Sequence, residues 1–427
     1  MTKGIDGSSM EQRAKVCRLC GAALTKTFVD LGMSPLCESY LPADQIDSME
    51  RFFPLHTLVC DNCFLVQLQE YVRPENIFTE YAYFSSYSSS WVEHARNYCH
   101  MITKRLALGP HSRVFEIASN DGYLLQHFLP LGVPAIGIEP AANVAEAARQ
   151  KNIPTIVEFF GCGLANQLAR EGRQADLIIG NNVLAQVPDL NDFTAGLAQL
   201  LKPDGVITLE FPHLQRLIEE NQFDTIYHEH FSYFSLIAIE HLASRHGLKV
   251  FDVEQLPTHG GSLRVYMCRL EAAHEPAQAV DRLRRFEQDR GLNSIAAYTK
   301  FAPRVHYTKR KLLSFLIECK DAGRTICGYG APGKGNTLLN YCGIGTDFLD
   351  FTVDRNPYKH GRFTPGMHVP IRPVSAIDEA KPDYLLVLPW NLREEITAQM
   401  RHISNWGGRL IFPIPEVSVI DPREATQ

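Results

Sequence analysis

The run Arg113-Val-Phe-Glu116-Ile-Ala118-Ser-Asn120-Asp121-Gly122 limits the fold more than any other stretch of the chain. A short apolar segment passes into a loop of small and polar residues, and residues 123–128 read as the helix that follows. After that helix, Ala135-Ile-Gly-Ile-Glu139 is a second apolar strand, and it also ends on an acid. Strand, loop, helix and strand with an acid at the second carboxyl end is the βαβ pattern of a mononucleotide-binding fold, with the acid placed for ribose hydroxyls. A pyrophosphate needs glycines for close backbone approach at a helix N-terminus, and here Ala118 stands where a glycine is common. S-adenosylmethionine has no phosphate and tolerates a looser loop. The pattern therefore favours that donor over a dinucleotide, with Glu116, Ala118, Asn120, Gly122, Glu139 and Asn181 expected to bind it.

The alternation continues. A strand is expected within 153–160, a helix up to Arg170, a strand at 175–181 with Asn181 and Asn182 at its carboxyl end, and a helix at 193–201. A turn at 202–205 leads into a strand at 206–211, and a last strand at 247–254 precedes a hairpin. Ligands of open α/β sheets bind at strand carboxyl ends. A second series follows: strand 325–329, the loop Gly330-Ala-Pro-Gly333-Lys334-Gly335-Asn336, helix 337–341 and strand 348–354, again ending on an acid. Strand 383–388, a helix from 391 and strand 409–413 complete it. The loop lacks the GxxxxGK[ST] spacing of an ATP-hydrolysing site but suits a diphosphate cradle. Residues 276–320 have helical spacing and should join the two units.

Cys17-Arg-Leu-Cys20 and Cys60-Asp-Asn-Cys63 are two CxxC pairs. Each folds as a tight knuckle that aims two thiolates at one point, and two knuckles complete a tetrahedron around zinc. Gly21 suits the turn after Cys20. Four protein ligands leave no open position, so Cys17, Cys20, Cys60 and Cys63 should hold the fold rather than catalyse. Cys37 lies between the pairs and reads as a core residue, and 28–41 reads as a loop with short extended pieces. The segment from Tyr81 to Trp91 mixes aromatics with serines, as a loop packed over a site would, and Ser90 could cap a helix at 91–106.

A chain of 427 residues is too long for one ordinary core. The expected α/β architecture is an N-terminal zinc-binding module (1–75), a class I (Rossmann-like) methyltransferase domain (76–270) and a C-terminal second Rossmann-like α/β domain (271–427). Lys plus Arg is 42 and Asp plus Glu 48, a net charge of −6, which argues against general nucleic-acid binding. No apolar run approaches the roughly 18 residues of a membrane span. The polar stretch 1–12 has no apolar signal core. Eleven cysteines without such a signal fit a reducing compartment, and a cytoplasmic location is expected.

Between the two α/β series lies Tyr227-His228-Glu229-His230, four proton-active side chains flanked by Phe223, Ile226, Phe231, Tyr233 and Phe234. Charged groups beside buried apolar surface have shifted proton affinities. A solvated loop is the competing reading. A His-Glu-His metal site is disfavoured, because adjacent residues do not easily converge on one ion. Further on, Thr258-His259-Gly260-Gly261-Ser262-Leu-Arg264 leads into a strand, and its glycine pair permits close backbone approach to a ligand. Arg264 could serve a phosphate or a structural ion pair.

Taken in order, the two CxxC pairs, Tyr81-Ala-Tyr-Phe-Ser-Ser86, Glu116-Ile-Ala-Ser-Asn-Asp-Gly122, Asn182-Val-Leu-Ala-Gln-Val-Pro188, Asp224-Thr-Ile-Tyr-His-Glu-His230, His259-Gly-Gly-Ser-Leu-Arg264 and Gly328-Tyr-Gly-Ala-Pro-Gly-Lys-Gly335 resemble the nucleotide-linked sugar C-methyltransferases. These motifs span nearly the whole chain. The resemblance implies methyl transfer from S-adenosylmethionine to a carbon, C3 for the family, beside the 4-keto group of a TDP- or GDP-linked deoxysugar. His230 would be the base, Glu229 and Tyr227 its partners, and Tyr81 a further active-site hydroxyl. Asn182, Gln186, His259, Ser262, Arg264, Lys334, Tyr358 and Lys359 are the expected substrate contacts, the last three in a C-terminal domain that helps hold the nucleotide-sugar. A monomer or small homo-oligomer is expected. A C–H beside a ketone is a weak acid, and imidazole supplies a base near neutral pH. One departure stands out: the family often has a histidine at the position of Gln186, and an amide cannot carry a proton charge at pH 7. The alternatives are an O- or N-methyltransferase of another small molecule, which would leave the Tyr-x-Glu-His group without a task, and a non-catalytic zinc-ribbon binding protein.

Overall fold

The computed structural model describes residues 15–72 and 85–423. The first strand-and-acid series forms a seven-stranded sheet. Its order is Thr155–Ile156, Ala135–Ile138, Val114–Ile117, Ala175–Asn181, Leu201–Pro212, Ser262–Arg269, Leu248–Leu256. Six strands run parallel, and Ser262–Arg269 of the closing hairpin is slotted antiparallel between Leu201–Pro212 and Leu248–Leu256. This is the class I methyltransferase arrangement. Phe115 and Ile117 pack on one face with Leu164, Phe193 and Leu197, while Val114 packs on the other with Tyr98, Ile102 and Phe128. Burial on both faces explains why these strands read as continuous apolar runs rather than alternating ones.

The second series forms a six-stranded sheet in the order Ile371–Pro373, Thr352–Asp354, Ile326–Tyr329, Tyr384–Val387, Arg409–Phe412, Ser418–Ile420, parallel except for the last strand. In both sheets the order reverses beside the first strand of the series, which opens a crevice at the carboxyl ends.

A four-stranded antiparallel sheet lies between them: Lys26–Ser34, Phe53–Val59, Val66–Leu68 and Ser232–Tyr233. The fourth strand comes from the middle of the chain, immediately after His230. One side of this N-terminal module, through Phe28, Val29, Leu31 and Leu55, shares a core with the C-terminal sheet. The other, through Cys17, Leu19, Leu58 and Leu65, shares a core with the seven-stranded sheet. The module is thus a wedge buried from both directions. A small pairing of Arg362–Phe363 with Leu41–Pro42 fastens it to the C-terminal unit. Helices Gln278–Asp289 and Phe301–Asp321 bridge the two α/β units. Val280 and Leu283 join the first core, and Leu312 and Leu316 join the second.

Several elements differ from the sequence expectation for physical reasons. Residues 28–41 were expected to be loop-like, yet Lys26–Ser34 is a strand, with a register shift between Asp30 and Met33 that accommodates Gly32 at φ 77°. The helix after the aromatic-serine stretch is Ser89–Arg105. Its cap is Ser88, whose Oγ accepts the Trp91 N–H, rather than Ser90. The 202–205 turn is absorbed into strand Leu201–Pro212, and 123–128 keeps only the single turn Leu125–His127. Helix Gly333–Cys342 begins inside the glycine-rich loop. A Cβ at Gly333 would meet Cys37 Sγ at 2.7 Å, and one at Gly335 would meet Leu388 at 2.8 Å, so these glycines serve close packing. No helix among the described residues is long and apolar enough to cross a membrane.

Candidate active site

The four knuckle thiols meet: all four Sγ atoms lie within 4.8 Å of one another. Cys17 and Cys63 are 3.5 Å apart, as are Cys20 and Cys60. Zinc with Zn–S near 2.3 Å sets tetrahedral sulfurs roughly 3.8 Å apart, so the sulfurs stand at the spacing the ion requires. Gln67 Nε2 donates to Cys17 Sγ at 3.1 Å, an outer bond that fixes that ligand. Cys17, Cys20, Cys60 and Cys63 would hold zinc so that it ties the ends of strands Phe53–Val59 and Val66–Leu68 to the start of the module, with four protein ligands and so a structural role.

The residues expected to bind the donor gather at the carboxyl ends of Val114–Ile117 and Ala135–Ile138. Ala118, Asn120 and Gly122 all have left-handed backbones, with φ of 56°, 49° and 75°. This coil brings the Asn120 N–H to Glu139 Oε2 at 2.9 Å, while Glu139 Oε1 accepts the Ala141 N–H at 2.9 Å. Glu116 Oε2, Ser119 Oγ, Asp121 Oδ1 and Asn181 Nδ2 are buried without a partner. Burial, with Glu139 and Asp121 nearby, pushes the Glu116 carboxyl well up. A pocket rich in unpaired acceptors matches an adenosyl donor, which brings ribose hydroxyls, an ammonium and a sulfonium, so Glu116, Asn120, Glu139 and Asn181 would hold it. Packing also calls for a glycine at 122, because a Cβ there would meet Ile153 at 2.3 Å.

The proton-active loop is stitched in from both sides. Phe231 N donates to Ala185 O at 2.7 Å, and Leu68 N donates to Phe231 O at 2.9 Å. His228 anchors the loop to the N-terminal module through Pro54 O at 3.3 Å and the rings of Phe53 and Tyr71. The decisive bond is from His230: Nδ1 lies 3.1 Å from Thr225 O. A carbonyl can only accept, so Nδ1 carries the hydrogen and Nε2 keeps its lone pair. Burial drives the His230 pKa down to about 4, and the nearby His259 and Lys334 push the same way. The ring is therefore neutral at ordinary pH and able to take a proton. Tyr227 lies tilted against it, with centroids 4.1 Å apart.

Glu229 is not bonded to the imidazole. Its Oε2 accepts from the Cys37 thiol at 3.2 Å, so Thr225 takes the orienting role expected of Glu229. Burial pushes Glu229 up to about 7. Cys37 is indeed buried, but at a three-way junction: its carbonyl accepts from Asn336 Nδ2 at 2.6 Å. Tyr81 lies outside the described residues.

Of the expected substrate contacts, three face the same cleft as His230. Asn182 Nδ2 lies 3.1 Å from His259 Nε2, and Lys334 acts electrostatically on both histidines. Lys334 Nζ donates to Asn391 Oδ1 at 2.8 Å and sits 5.0 Å from the Trp390 ring centroid. Gln186 is half-buried in the turn Leu184–Gln186, next to the residue that holds Phe231. The others are engaged elsewhere. Arg264 is spent on an internal network: its Nη2 donates to Glu210 at 2.7 Å, its Nη1 to Glu254 at 2.8 Å, and it stacks over Tyr98. Ser262 Oγ donates to Thr258 O. Lys359 Nζ donates to Tyr40 Oη and Ala331 O at 2.9 and 2.8 Å, and Tyr358 is exposed at the surface.

Sequence reasoning missed four residues. Asp224 is fully buried and accepts the Trp390 indole N–H at 2.7 Å, with Oδ1 unpartnered. Burial pushes its carboxyl up to about 7, against the pull of Lys334. Glu210 takes His94 Nε2, Arg264 and the Thr258 hydroxyl. Asp224 belonged to a quoted motif, so a buried acid was readable there. The partners Trp390, Glu210 and His94 are too distant in sequence to be paired by inspection.

A C-methyltransferase C-terminal domain family matches residues 257–415, a zinc binding domain family 17–78 and a methyltransferase domain family 91–253. C-methyltransferase NovU of Streptomyces niveus is 35% identical over 404 residues, which cover 95% of this chain and 96% of that protein. The ubiquinone biosynthesis O-methyltransferase of Chelativorans sp. (strain BNC1) is 28% identical over 96 residues, 22% of this chain and 38% of the relative. Among solved structures, magnesium protoporphyrin IX methyltransferase of Synechocystis PCC 6803 with bound SAM superposes with a TM-score of 0.31 at 15% identity, covering 42% of this chain and 81% of its own.

Proposed function

The chain belongs to the C-methyltransferases, S-adenosylmethionine-dependent enzymes, and from that premise we propose that it methylates a carbon, C3 by preference, beside the 4-keto group of a TDP- or GDP-linked deoxysugar. The observation that carries this reading is the His230 imidazole, neutral and buried, with Nδ1–H committed to Thr225 O and Nε2 left as a base. A neutral imidazole could also deprotonate a hydroxyl or an ammonium, so it is the C-methyltransferase relationship that directs this base to a carbon acid.

In this scheme His230 Nε2 takes the proton from the carbon beside the ketone. The C–H electron pair becomes the double bond of an enolate, whose oxygen needs fixed donors. Tyr227 closes one wall against the imidazole, and Asn182 and Gln186 offer amide donors from the strand-end turn of the first unit. Lys334, set over Trp390 and bonded to Asn391, would bring a positive charge toward the diphosphate or the enolate. Bound S-adenosylmethionine supplies an electrophilic methyl group, held by the Glu116–Glu139 pocket. What remains for the protein is alignment, a matter of positioning in a closed cleft. The domain roles follow the same division: 1–75 holds zinc, 76–270 holds the donor and 271–427 helps hold the nucleotide-sugar.

The test is incubation with a panel of TDP- and GDP-linked 4-keto deoxysugars and S-adenosylmethionine, read by mass and NMR. A gain of one methyl on the carbon beside the ketone is expected. Methyl gain on oxygen or nitrogen only, or on none of the sugars, would remove the reading.

A further inference from the structure

His259 has a backbone that a side chain of its size rarely adopts, with φ 54° and ψ 22°. A left-handed backbone is uncommon outside glycine and persists where the surroundings hold it. Here the hold is visible. A Cβ at Gly260 would come within 3.0 Å of Trp390 and Gln222, and one at Gly261 within 2.8 Å of Arg216. Gln222 Nε2 also donates to Gly260 O at 2.6 Å. The loop is clamped from several sides, and the strain falls on an imidazole.

That imidazole is accessible to solvent although protein surrounds it, as on the floor of a cleft. The Trp91 ring meets it edge-on at 4.9 Å. The Asn182 amide nitrogen faces Nε2, so Nε2 accepts and the ring hydrogen sits on Nδ1. Burial and the Lys334 charge hold the His259 pKa down to about 4, against Glu210, and His94 adds to the lowering. The cleft therefore holds two neutral imidazoles of opposite polarity: His230 presents a lone pair and His259 an N–H.

Resting on the reading of this site as a carbon-acid site, we propose that His259 donates its ring N–H to the carbonyl oxygen of the acceptor, so that enolisation is divided between two imidazoles. His230 Nε2 takes the carbon-bound proton and becomes imidazolium. The C–H pair forms the carbon–carbon double bond, and the carbonyl π pair moves onto the oxygen that His259 holds. The His259 hydrogen stays on nitrogen, because a neutral imidazole is too weak an acid to release it. The oxygen is stabilised and the carbon keeps its nucleophilic electron density. A neutral histidine polarising a carbonyl is an established way to use this side chain. It supplies the second imidazole that Gln186 does not.

The experiment is exchange of the carbon-bound hydrogen with D2O, followed by NMR on a TDP-linked 4-keto-6-deoxyhexose without methyl donor. The proteins are the full-length wild type, His259→Asn and His259→Gln. Asn tolerates the left-handed backbone, and thermal melts report folding. The expected result is wild-type exchange, a loss of about 10²–10³-fold in His259→Asn, partial recovery in His259→Gln, whose amide N–H reaches further, and unchanged S-adenosylmethionine affinity in all three. Exchange by folded His259→Asn at the wild-type rate would overturn the role. Absence of exchange in the wild type would remove the carbon-acid reading itself, and the His259 role with it, a different result from the first.

Discussion

The two α/β units solve the same local problem with the same device and then diverge. In the first, the acid ending the second strand, Glu139, accepts one N–H from the loop after the first strand (Asn120) and one from two residues on (Ala141). In the second, Asp354 accepts from Ala331 at 2.7 Å and from Asn356 at 2.8 Å, the same two places. The surroundings of the loops differ. Around Glu139, Glu116 Oε2, Ser119 Oγ and Asp121 Oδ1 are buried without partners, against Asn336 Oδ1 at the second loop. Around Asp354, the free carbonyl of Ala331 is taken by Tyr40 Oη at 2.5 Å and by Lys359, while Asn336 bonds Cys37 O. Segment 37–40 of the zinc module fills the second crevice. The first crevice is the one expected to take a ligand; the second is plugged, and its glycine-rich loop carries Lys334 close enough to act electrostatically on His230 and His259. A shared fold thus yields a binding site in one case and a wall in the other, and the difference lies in what covers the strand ends.

The largest effect should come from the group that both units face. His230→Ala is expected to lower methyl transfer about 10²–10⁴-fold, the scale of a general base, while calorimetric affinity for S-adenosylmethionine stays at the wild-type level. Weakened donor binding would mean that the base and the donor pocket are not separable. Next, Glu139→Ala should weaken donor binding by about 10–100-fold, since it removes a charged acceptor worth roughly 1.5–3 kcal/mol per bond. Asp354→Ala, the matched change in the second unit, should leave donor affinity unchanged and cost about 1–3 kcal/mol of stability. Equal losses of donor affinity from the two substitutions would break the contrast between an open and a plugged crevice.

The acid limb of the reaction offers a third check. With His230 held down to about 4, hydrogen exchange at the sugar carbon should persist below pH 6 and fall off near pH 4. A limb near 6.5 would place the base in open water. The accompanying stability runs in a fixed direction. His230 has a depressed folded pKa, so its contribution is present above the unfolded value of 6.5 and is lost as pH falls through about 4. Glu229 and Asp224 are raised to about 7, so theirs is present at acid pH and lost as pH rises through about 7. The smallest effect belongs to Tyr40→Phe, which unplugs one bond of the second crevice and should cost about 0.5–1.5 kcal/mol in thermal unfolding, with no change in donor binding.

Much of the scaffold was legible because its signals are local. The acids at 139 and 354 follow directly on the apolar runs they terminate, and the CxxC spacing fixes two thiols at a time. What stayed hidden depends on distant partners. Arg264 could be read for a phosphate because nothing beside it in sequence reveals Glu210 across the sheet. Glu229 looked like the partner of its neighbour His230, and its bond to Cys37 crosses from one module to another. The strand Ser232–Tyr233 is two residues long, too short for any periodicity to announce it.

That short strand also sets an order of assembly. The zinc knuckles and three strands of their sheet leave the ribosome early, yet the sheet remains one strand short until residues 232–233 emerge and return to pair with Val66–Leu68. Pairings between such distant segments are slow to form. His230 sits two residues before the closing strand, so it should be set in place late, after the knuckle thiols have met and most of the first α/β unit has formed. A nascent chain stopped short of that point would carry the four-thiol module and most of a methyltransferase fold, and would lack a strand to hold that imidazole in position.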